Sequence, residues 1–126
     1  MKLIFKLIIV CIFFVPLSCS KPKKEIVNIK KVDQQEEMVS TYMEGIESLK
    51  KGDPYYAARK FVEAEMLYPQ SIWAPRSAIM ASYSYYLQNY YVETIGSLEK
   101  YLEMYPSDEN RIYAHYLIAT SHYEMI

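Results

Sequence analysis

An internal repeat constrains this chain more than any other feature of its sequence. Aligning Pro69 with Pro106 sets a period of 37 residues, and the positions paired at that offset keep their chemical character. The pairs are Leu49 with Tyr86, Gly52 with Asn89, Ala57 with Thr94, Phe61 with Leu98, Ala64 with Tyr101, and Leu67 with Met104. A short unit of this kind cannot bury its apolar side alone, so successive copies stack on one another. The repeat therefore predicts a solenoid.

The first copy has the order of small, aromatic and proline residues found in a tetratricopeptide hairpin. Its repeat positions are Gly45, Gly52, Ala57, Phe61, Ala64 and Pro69. Small residues let two helices approach, the aromatic ring fills the wedge between them, and proline ends the second helix. The second copy departs from this order, with Ser82 at the position of Gly45 and bulky Tyr101 at that of Ala64. We predict an all-α fold, a right-handed α-solenoid of tetratricopeptide hairpins.

Local signals predict where the helices begin and end. Gly52 can close one helix, Asp53 can cap the next, and Pro54 can open it. Ser71 can cap a third helix, which Asn89 can close, and Pro106 ends a fourth. The predicted helices are 36–51, 54–68, 72–88, 91–104 and 108–126, which make two full repeats and the first helix of a third.

The last predicted helix has an apolar face that nothing in the sequence covers. This face consists of Ile112, Tyr116, Ala119 and Tyr123. Solenoids need a polar terminal cap to remain soluble. The repeat domain, residues 36–126, is therefore expected to be the amino-terminal part of a longer protein.

Residues 1–18 have the order of a secretory signal peptide. Lys2 and Lys6 supply positive charge, an apolar run continues to Leu17, and a small residue, Ser18, precedes Cys19. Even counted from Leu3, the run has 15 residues, whereas a spanning helix needs about 20. A retained membrane anchor and an ordinary cleaved signal are the alternatives to a lipoprotein signal.

The segment 15–19 resembles a bacterial lipobox. That resemblance implies cleavage before Cys19 and acylation of its thiol. Residues 19–35 are then expected to be the lipidated cysteine and a flexible tether, because they are rich in lysine and lack aromatic side chains.

Five short runs carry a more specific resemblance: 42–45, 51–53, 68–74, 81–86 and 113–117. Their distinctive part is a Pro-x-Ser-x-Trp-Ala turn followed by a tyrosine-rich helix. Together they resemble the BamD family of the β-barrel assembly machinery, the BAM complex. The resemblance implies a lipoprotein anchored at the periplasmic face of the outer membrane. Such a protein works with BamA and the other assembly subunits, receives unfolded β-barrel proteins at its first repeats, and assists their insertion.

Aromatic and basic side chains are the candidates for substrate contact. Flat rings with hydroxyl tips suit an extended strand that has spare backbone groups. We expect Tyr83 and Tyr116 to line the concave face. Arg76 and Arg111 begin the third and fifth helices and could pair with a substrate carboxylate, and a surface role is their alternative. The alternative role for any one tyrosine is packing between repeats, which we expect for Tyr86 and Tyr123. Trp73 is expected to be a packing anchor beside the turn after Pro69.

Charge and motif content argue against several classes of function. Without Lys2 and Lys6, 12 basic and 15 acidic residues remain, so a basic nucleic-acid footprint is missing. His115 and His122 lack a third metal ligand, and no catalytic or phosphate-binding motif occurs. We predict a non-enzymatic binding scaffold without cofactor or metal. The alternatives are another periplasmic tetratricopeptide adaptor, serving cell division or pilus assembly, and an accessory domain of an envelope enzyme.

Overall fold

The computed structural model describes residues 24–126, and this part of the chain forms five α-helices without a β-strand. The helices are α1 (Lys24–Lys50), α2 (Pro54–Leu67), α3 (Ala74–Tyr86), α4 (Tyr91–Met104) and α5 (Arg111–Glu124). Each helix packs against the next one along the chain, and α3 also contacts α5. Two hairpins, α1–α2 and α3–α4, are thus followed by α5. This arrangement confirms the all-α helical-repeat fold, while the right-handed sense of the solenoid stays a prediction.

The turns inside the two hairpins have the same backbone conformation. Gly52 (φ +77°) and Asn89 (φ +60°), which are equivalent in the repeat, both lie in the left-handed region. Glycine adopts that region freely, and asparagine tolerates it better than most residues. In the first turn, an Asp53 carboxylate oxygen accepts the backbone N–H of Tyr56 at 3.0 Å, and Pro54 opens α2.

The turns between hairpins are longer than the sequence signals indicated. The Ser71 hydroxyl oxygen accepts the backbone N–H groups of Trp73 at 3.2 Å and Ala74 at 3.1 Å, so α3 begins at Ala74 instead of residue 72. At the next turn Asp108 accepts the backbone N–H of Asn110 at 2.9 Å, and α5 begins at Arg111 instead of residue 108. In both turns a polar side chain uses the local donors before regular helix starts.

The predicted flexible tether is wrong over residues 24–35, because α1 already begins at Lys24. From Glu25 to Glu44 the chain has neither glycine nor proline. Its many lysine, glutamate and glutamine residues favour helix. Residues 31–37 are mostly exposed, so this part of the chain is an exposed helix instead of irregular backbone. The predicted signal peptide and Cys19 lie outside the described residues.

The first helix extends well beyond its partner. Gly45 of α1 faces Phe61 of α2, and this register places fully buried Met38 level with the end of α2. The part of α1 from Lys24 to Met38 therefore projects past the hairpin by roughly 20 Å, at a rise of about 1.5 Å per residue. None of the helices in the described part of the chain is both long and apolar enough to cross a bilayer.

Two buried clusters hold the helices together. The first contains Ala57, Phe61 and Ala81, and the second contains Ala78, Ile79, Leu98, Tyr101, Ala114 and Leu117. A Cβ atom added to Gly45 would lie 2.7 Å from the ring of Phe61, so α1 and α2 can approach this closely only at glycine. Ala64 is also fully buried, and Pro69 and Pro106 lie exposed in the turns that follow α2 and α4.

Candidate functional site

The first helices of the second and third repeats carry a cluster of tyrosines. We call Tyr83 and Tyr86 of α3 together with Tyr113 and Tyr116 of α5 the tyrosine surface. The rings of Tyr113 and Tyr116 have centroids 6.3 Å apart, and the ring of Tyr86 meets that of Tyr91 edge to face at 5.7 Å. Because α3 and α5 are in contact, the structure brings the two predicted contact residues, Tyr83 and Tyr116, onto one surface.

The tyrosine hydroxyls are close enough to influence one another. Burial raises the pKa of the Tyr113 hydroxyl, and the neighbouring Tyr83, Tyr116 and Tyr86 raise it further. Burial likewise raises the pKa of Tyr86, with a second contribution from the carboxylate of Glu124. Both groups stay protonated at neutral pH, so each can donate as well as accept a hydrogen bond.

The four tyrosines differ in how far they face solvent. Tyr83 and Tyr86 are half-buried against the second buried cluster, whereas Tyr116 is 62% exposed. Tyr123, which was expected to pack between repeats, is 73% exposed in the described part of the chain, so its packing role stays a prediction. Tyr86 is covered where α5 crosses α3, but no later helix of the described chain packs on α5.

Arg76 lies at one end of the tyrosine surface. It precedes Tyr83 by seven residues, close to two helical turns, so both lie on the same side of α3. The guanidinium carbon is 5.4 Å from the centroid of the Trp73 ring, within the range of a cation–π interaction. The structure thus places Arg76 beside the tyrosines and fixes it on an aromatic platform.

Trp73 connects that platform to the interior of the first repeat. Its ring meets the ring of Tyr42 at 5.2 Å, and Tyr42 meets fully buried Phe61 at 5.2 Å, both edge to face. Burial raises the pKa of the Tyr42 hydroxyl, and the nearby charge of Arg76 partly offsets that rise. Trp73 therefore packs between the two repeats and at the same time supports Arg76.

A cavity of about 640 Å³ opens next to Arg76, between the two turns that join the repeats. Ile72, Pro75 and Arg76 line one side, and the turn 105–109 lines the other. In that turn the Tyr101 hydroxyl donates to Asp108. Burial alone would raise the pKa of Asp108, but the hydrogen bonds from Tyr101 and Asn110 and the charge of Arg76 hold it below its ordinary value. Asp108 is therefore ionised at neutral pH.

Sequence reasoning did not single out Tyr113 as part of this site. Tyr113 follows Arg76 by the repeat period of 37 residues, and that offset was the signal that could have found it. Among the described residues, no group of three or more His, Cys, Asp or Glu side chains is arranged to hold a metal ion.

Comparison with known proteins identifies the family. Residues 34–126 match the profile of the YfiO family, which is described as "Outer membrane lipoprotein". The chain belongs to this family. The match includes all of the tyrosine surface, Arg76 and Trp73, so the candidate site lies within the region that defines membership.

Two curated relatives carry the name "Outer membrane protein assembly factor BamD". The protein from Caulobacter vibrioides is 35% identical over 85 residues, which cover 68% of this chain and 28% of the relative. The protein from Rickettsia prowazekii is 30% identical over 89 residues, covering 71% and 36% respectively. The chain thus spans about a third of the length of the curated relatives it matches. No solved structure matches it significantly.

Proposed function

We propose that this chain is a substrate-receiving scaffold of the machinery that inserts β-barrel proteins into the outer membrane. It acts by binding, without catalysis. Family membership assigns it to the outer membrane lipoproteins, and the two relatives are named as assembly factors. The tyrosine surface is the observation that carries the proposal, because it offers this segment a place to hold an unfolded substrate.

The surface fits the chemistry of an unfolded barrel strand. Such a strand is extended, has side chains that alternate between two faces, and exposes unpaired backbone N–H and C=O groups. Tyrosine rings offer apolar contact area, and their hydroxyls offer hydrogen bonds to the backbone. Recognition by rings and hydroxyls depends weakly on the sequence of the strand. One receptor could therefore serve many barrel proteins.

We further propose that the chain is attached to the periplasmic face of the outer membrane through Cys19. Cleavage after Ser18 would free this cysteine for acylation. Each methylene group buried in lipid contributes about 0.8 kcal/mol, and more than one acyl chain makes the attachment stable. BamA and the other assembly subunits are the proposed protein partners, in contact with surfaces other than the tyrosine surface.

Site-specific photocrosslinking tests the receptor function. The acylated chain would carry a photoreactive phenylalanine derivative in place of Tyr116 and would be mixed with a peptide copying the last strand of an outer-membrane barrel. Tyr55 of α2 is the matched control position, because Tyr55 and Tyr116 are both 62% exposed.

We expect crosslinking from position 116 to the authentic strand, with little from position 55 or to a scrambled peptide. Equal crosslinking at both positions, or of both peptides, would contradict a receptor at the tyrosine surface. Mass spectrometry of the same preparation would test acylation of Cys19 separately.

A further inference from the structure

Arg76 has hydrogen-bonding capacity that the described part of the chain does not use. The ion pairs among the described residues involve Lys51 and Lys60, and the side-chain hydrogen bond from an arginine is that of Arg111 to the Pro106 carbonyl. Arg76 is exposed and takes part in none of these contacts. Its ring-facing side rests on Trp73, which leaves the N–H groups at the edge of the guanidinium open. A planar guanidinium edge matches a carboxylate through two parallel hydrogen bonds.

The two ends of the tyrosine surface carry opposite charges. Arg76 lies in the first turn of α3, whereas Glu124 ends α5 and its charge acts on Tyr86 near the end of α3. Repeats stack with their first helices parallel, so Arg76 and Glu124 lie at opposite ends of the surface. A negatively charged chain end is attracted to one end and repelled from the other.

The spacing of side chains along α3 suits an extended strand that has one end at Arg76. Tyr83 is seven residues and Tyr86 ten residues further on, or roughly 10 and 15 Å along the helix axis. An extended strand rises about 3.3 Å per residue. A strand whose end is held at Arg76 therefore passes Tyr83 about three residues from that end and Tyr86 between four and five residues from it.

Acidic groups near Arg76 weaken its attraction for an anion. Asp108 and Glu109 line the same cavity. One Asp108 oxygen already accepts hydrogen bonds from the Tyr101 hydroxyl and from two donors of Asn110. Asp108 is not within ion-pair distance of Arg76. The guanidinium edge of Arg76 therefore makes no ion pair among the described residues and can accept a carboxylate supplied by the ligand.

We propose that Arg76 binds the free terminal carboxylate of the substrate strand and so sets the direction in which the strand lies across the tyrosine surface. The strand runs with its carboxy terminus at the start of α3 and its preceding residues toward Glu124. This inference rests on the proposed function, since it presupposes that the surface receives such a strand.

Two peptides of identical sequence test the proposal on the acylated full chain. One copies the last strand of an outer-membrane barrel with its natural carboxylate, and the other ends in a carboxamide. Fluorescence anisotropy of the labelled peptides should give an affinity about tenfold weaker for the carboxamide, the effect of losing one charge-assisted interaction. Arg76→Gln should weaken binding of the carboxylate peptide by a similar factor and remove the difference in affinity between the two peptides. Arg76→Lys should keep part of the difference.

Arg59→Gln is the matched control, because Arg59 is an exposed arginine on α2 and should leave both affinities unchanged. A photoreactive group on the last peptide residue should crosslink near Ile72 to Arg76, and one placed five residues earlier should crosslink near the end of α3 or α5. Equal binding of both peptides to the unsubstituted chain, or the reverse crosslinking pattern, would overturn the role of Arg76 while leaving strand reception intact. Binding of neither peptide would overturn the proposed function and the role of Arg76 with it.

Discussion

Replacing Gly45 by alanine tests the packing that joins α1 to α2. The added Cβ would lie 2.7 Å from Cε1 and 2.9 Å from Cδ1 and Cζ of Phe61, whereas carbon atoms in contact prefer about 3.5 to 4.0 Å. The ring has little room to move, because it is fully buried and meets the edge of Tyr42. Overpacking of this kind costs about 1 to 3 kcal/mol, and we take the upper half of that range.

A favourable effect offsets part of that cost. Alanine is preferred over glycine inside a helix by about 1 kcal/mol. The expected net loss for Gly45→Ala is therefore about 1 to 2 kcal/mol. For a folded unit of this size, that loss corresponds to a fall in Tm of roughly 5 to 10 °C.

Thermal and guanidinium unfolding followed by circular dichroism at the helix band would measure the change. Gly96→Ala is the matched control: Gly96 is exposed inside α4, and nothing lies within 4 Å of its added Cβ. It should raise the free energy of unfolding by up to about 1 kcal/mol. If Gly45→Ala were as stable as the unsubstituted chain, the close approach of α1 to Phe61 would be refuted. The double variant Gly45→Ala with Phe61→Leu should be more stable than the sum of the single changes predicts, because the smaller side chain relieves the clash.

Three further substitutions have expected outcomes in the same unfolding assay. Ser77→Ala should stabilise the chain by about 1 kcal/mol, because the Ser77 hydroxyl is fully buried and has no partner among the described residues; a loss of stability would indicate a missing hydrogen bond. Asn89→Gly should be neutral or stabilising, whereas Asn89→Ala should cost about 1 kcal/mol, because residue 89 has a positive φ; equal effects would contradict the left-handed turn. The lowered pKa of Asp108 contributes stability that is present above its ordinary value of 3.8 and is lost as the pH falls through the folded-state value. The Asp108→Asn variant should therefore have a lower free energy of unfolding at neutral pH and should lose less of it on acidification. A pH dependence identical to that of the unsubstituted chain would argue against this assignment.

The fold was predictable wherever local chemistry and repeat spacing agreed. The sequence Gly52-Asp53-Pro54 determines a turn through a positive φ, a cap and a fixed proline φ, all of which act within three residues. The 37-residue offset similarly identified the stacking of hairpins, because each hairpin must bury its apolar side against the next. These features depend on neighbours that are close in sequence or repeat at a fixed interval.

The start of α1 was missed for a physical reason. A polar helix and a polar tether have similar compositions, and residues 31–37 are mostly exposed, so this part of α1 lacks a buried face whose periodicity would distinguish them. Helix propensity and the absence of glycine and proline were the remaining signals, and both are weak over a short stretch.

The residues of the candidate site were predictable only in part, and their arrangement was not. Repeat position placed Tyr83, Tyr116 and Arg76 on first helices but did not single out Tyr113. The stacking of Arg76 on Trp73 depends on a rotamer choice that sequence does not reveal. Tyr101 looked like a departure from the repeat, yet it is almost fully buried and its hydroxyl reaches Asp108 in the next turn. A large residue at a small position was accommodated because the turn supplied a polar partner.

The part of α1 that projects past the hairpin links the orientation of the chain near Lys24 to the orientation of the packed repeats. It continues without proline or glycine from Lys24 into the hairpin, so it transmits tilt and rotation to the packed repeats. Over the roughly 20 Å before Met38, a tilt of about 30° at the hairpin would displace the free end by about 10 Å. Conversely, a restraint on the chain near Lys24 would fix the direction in which the tyrosine surface faces as well as its distance from the point of restraint. If the chain is attached through Cys19 as proposed, α1 would make that single point of attachment determine the orientation of the tyrosine surface.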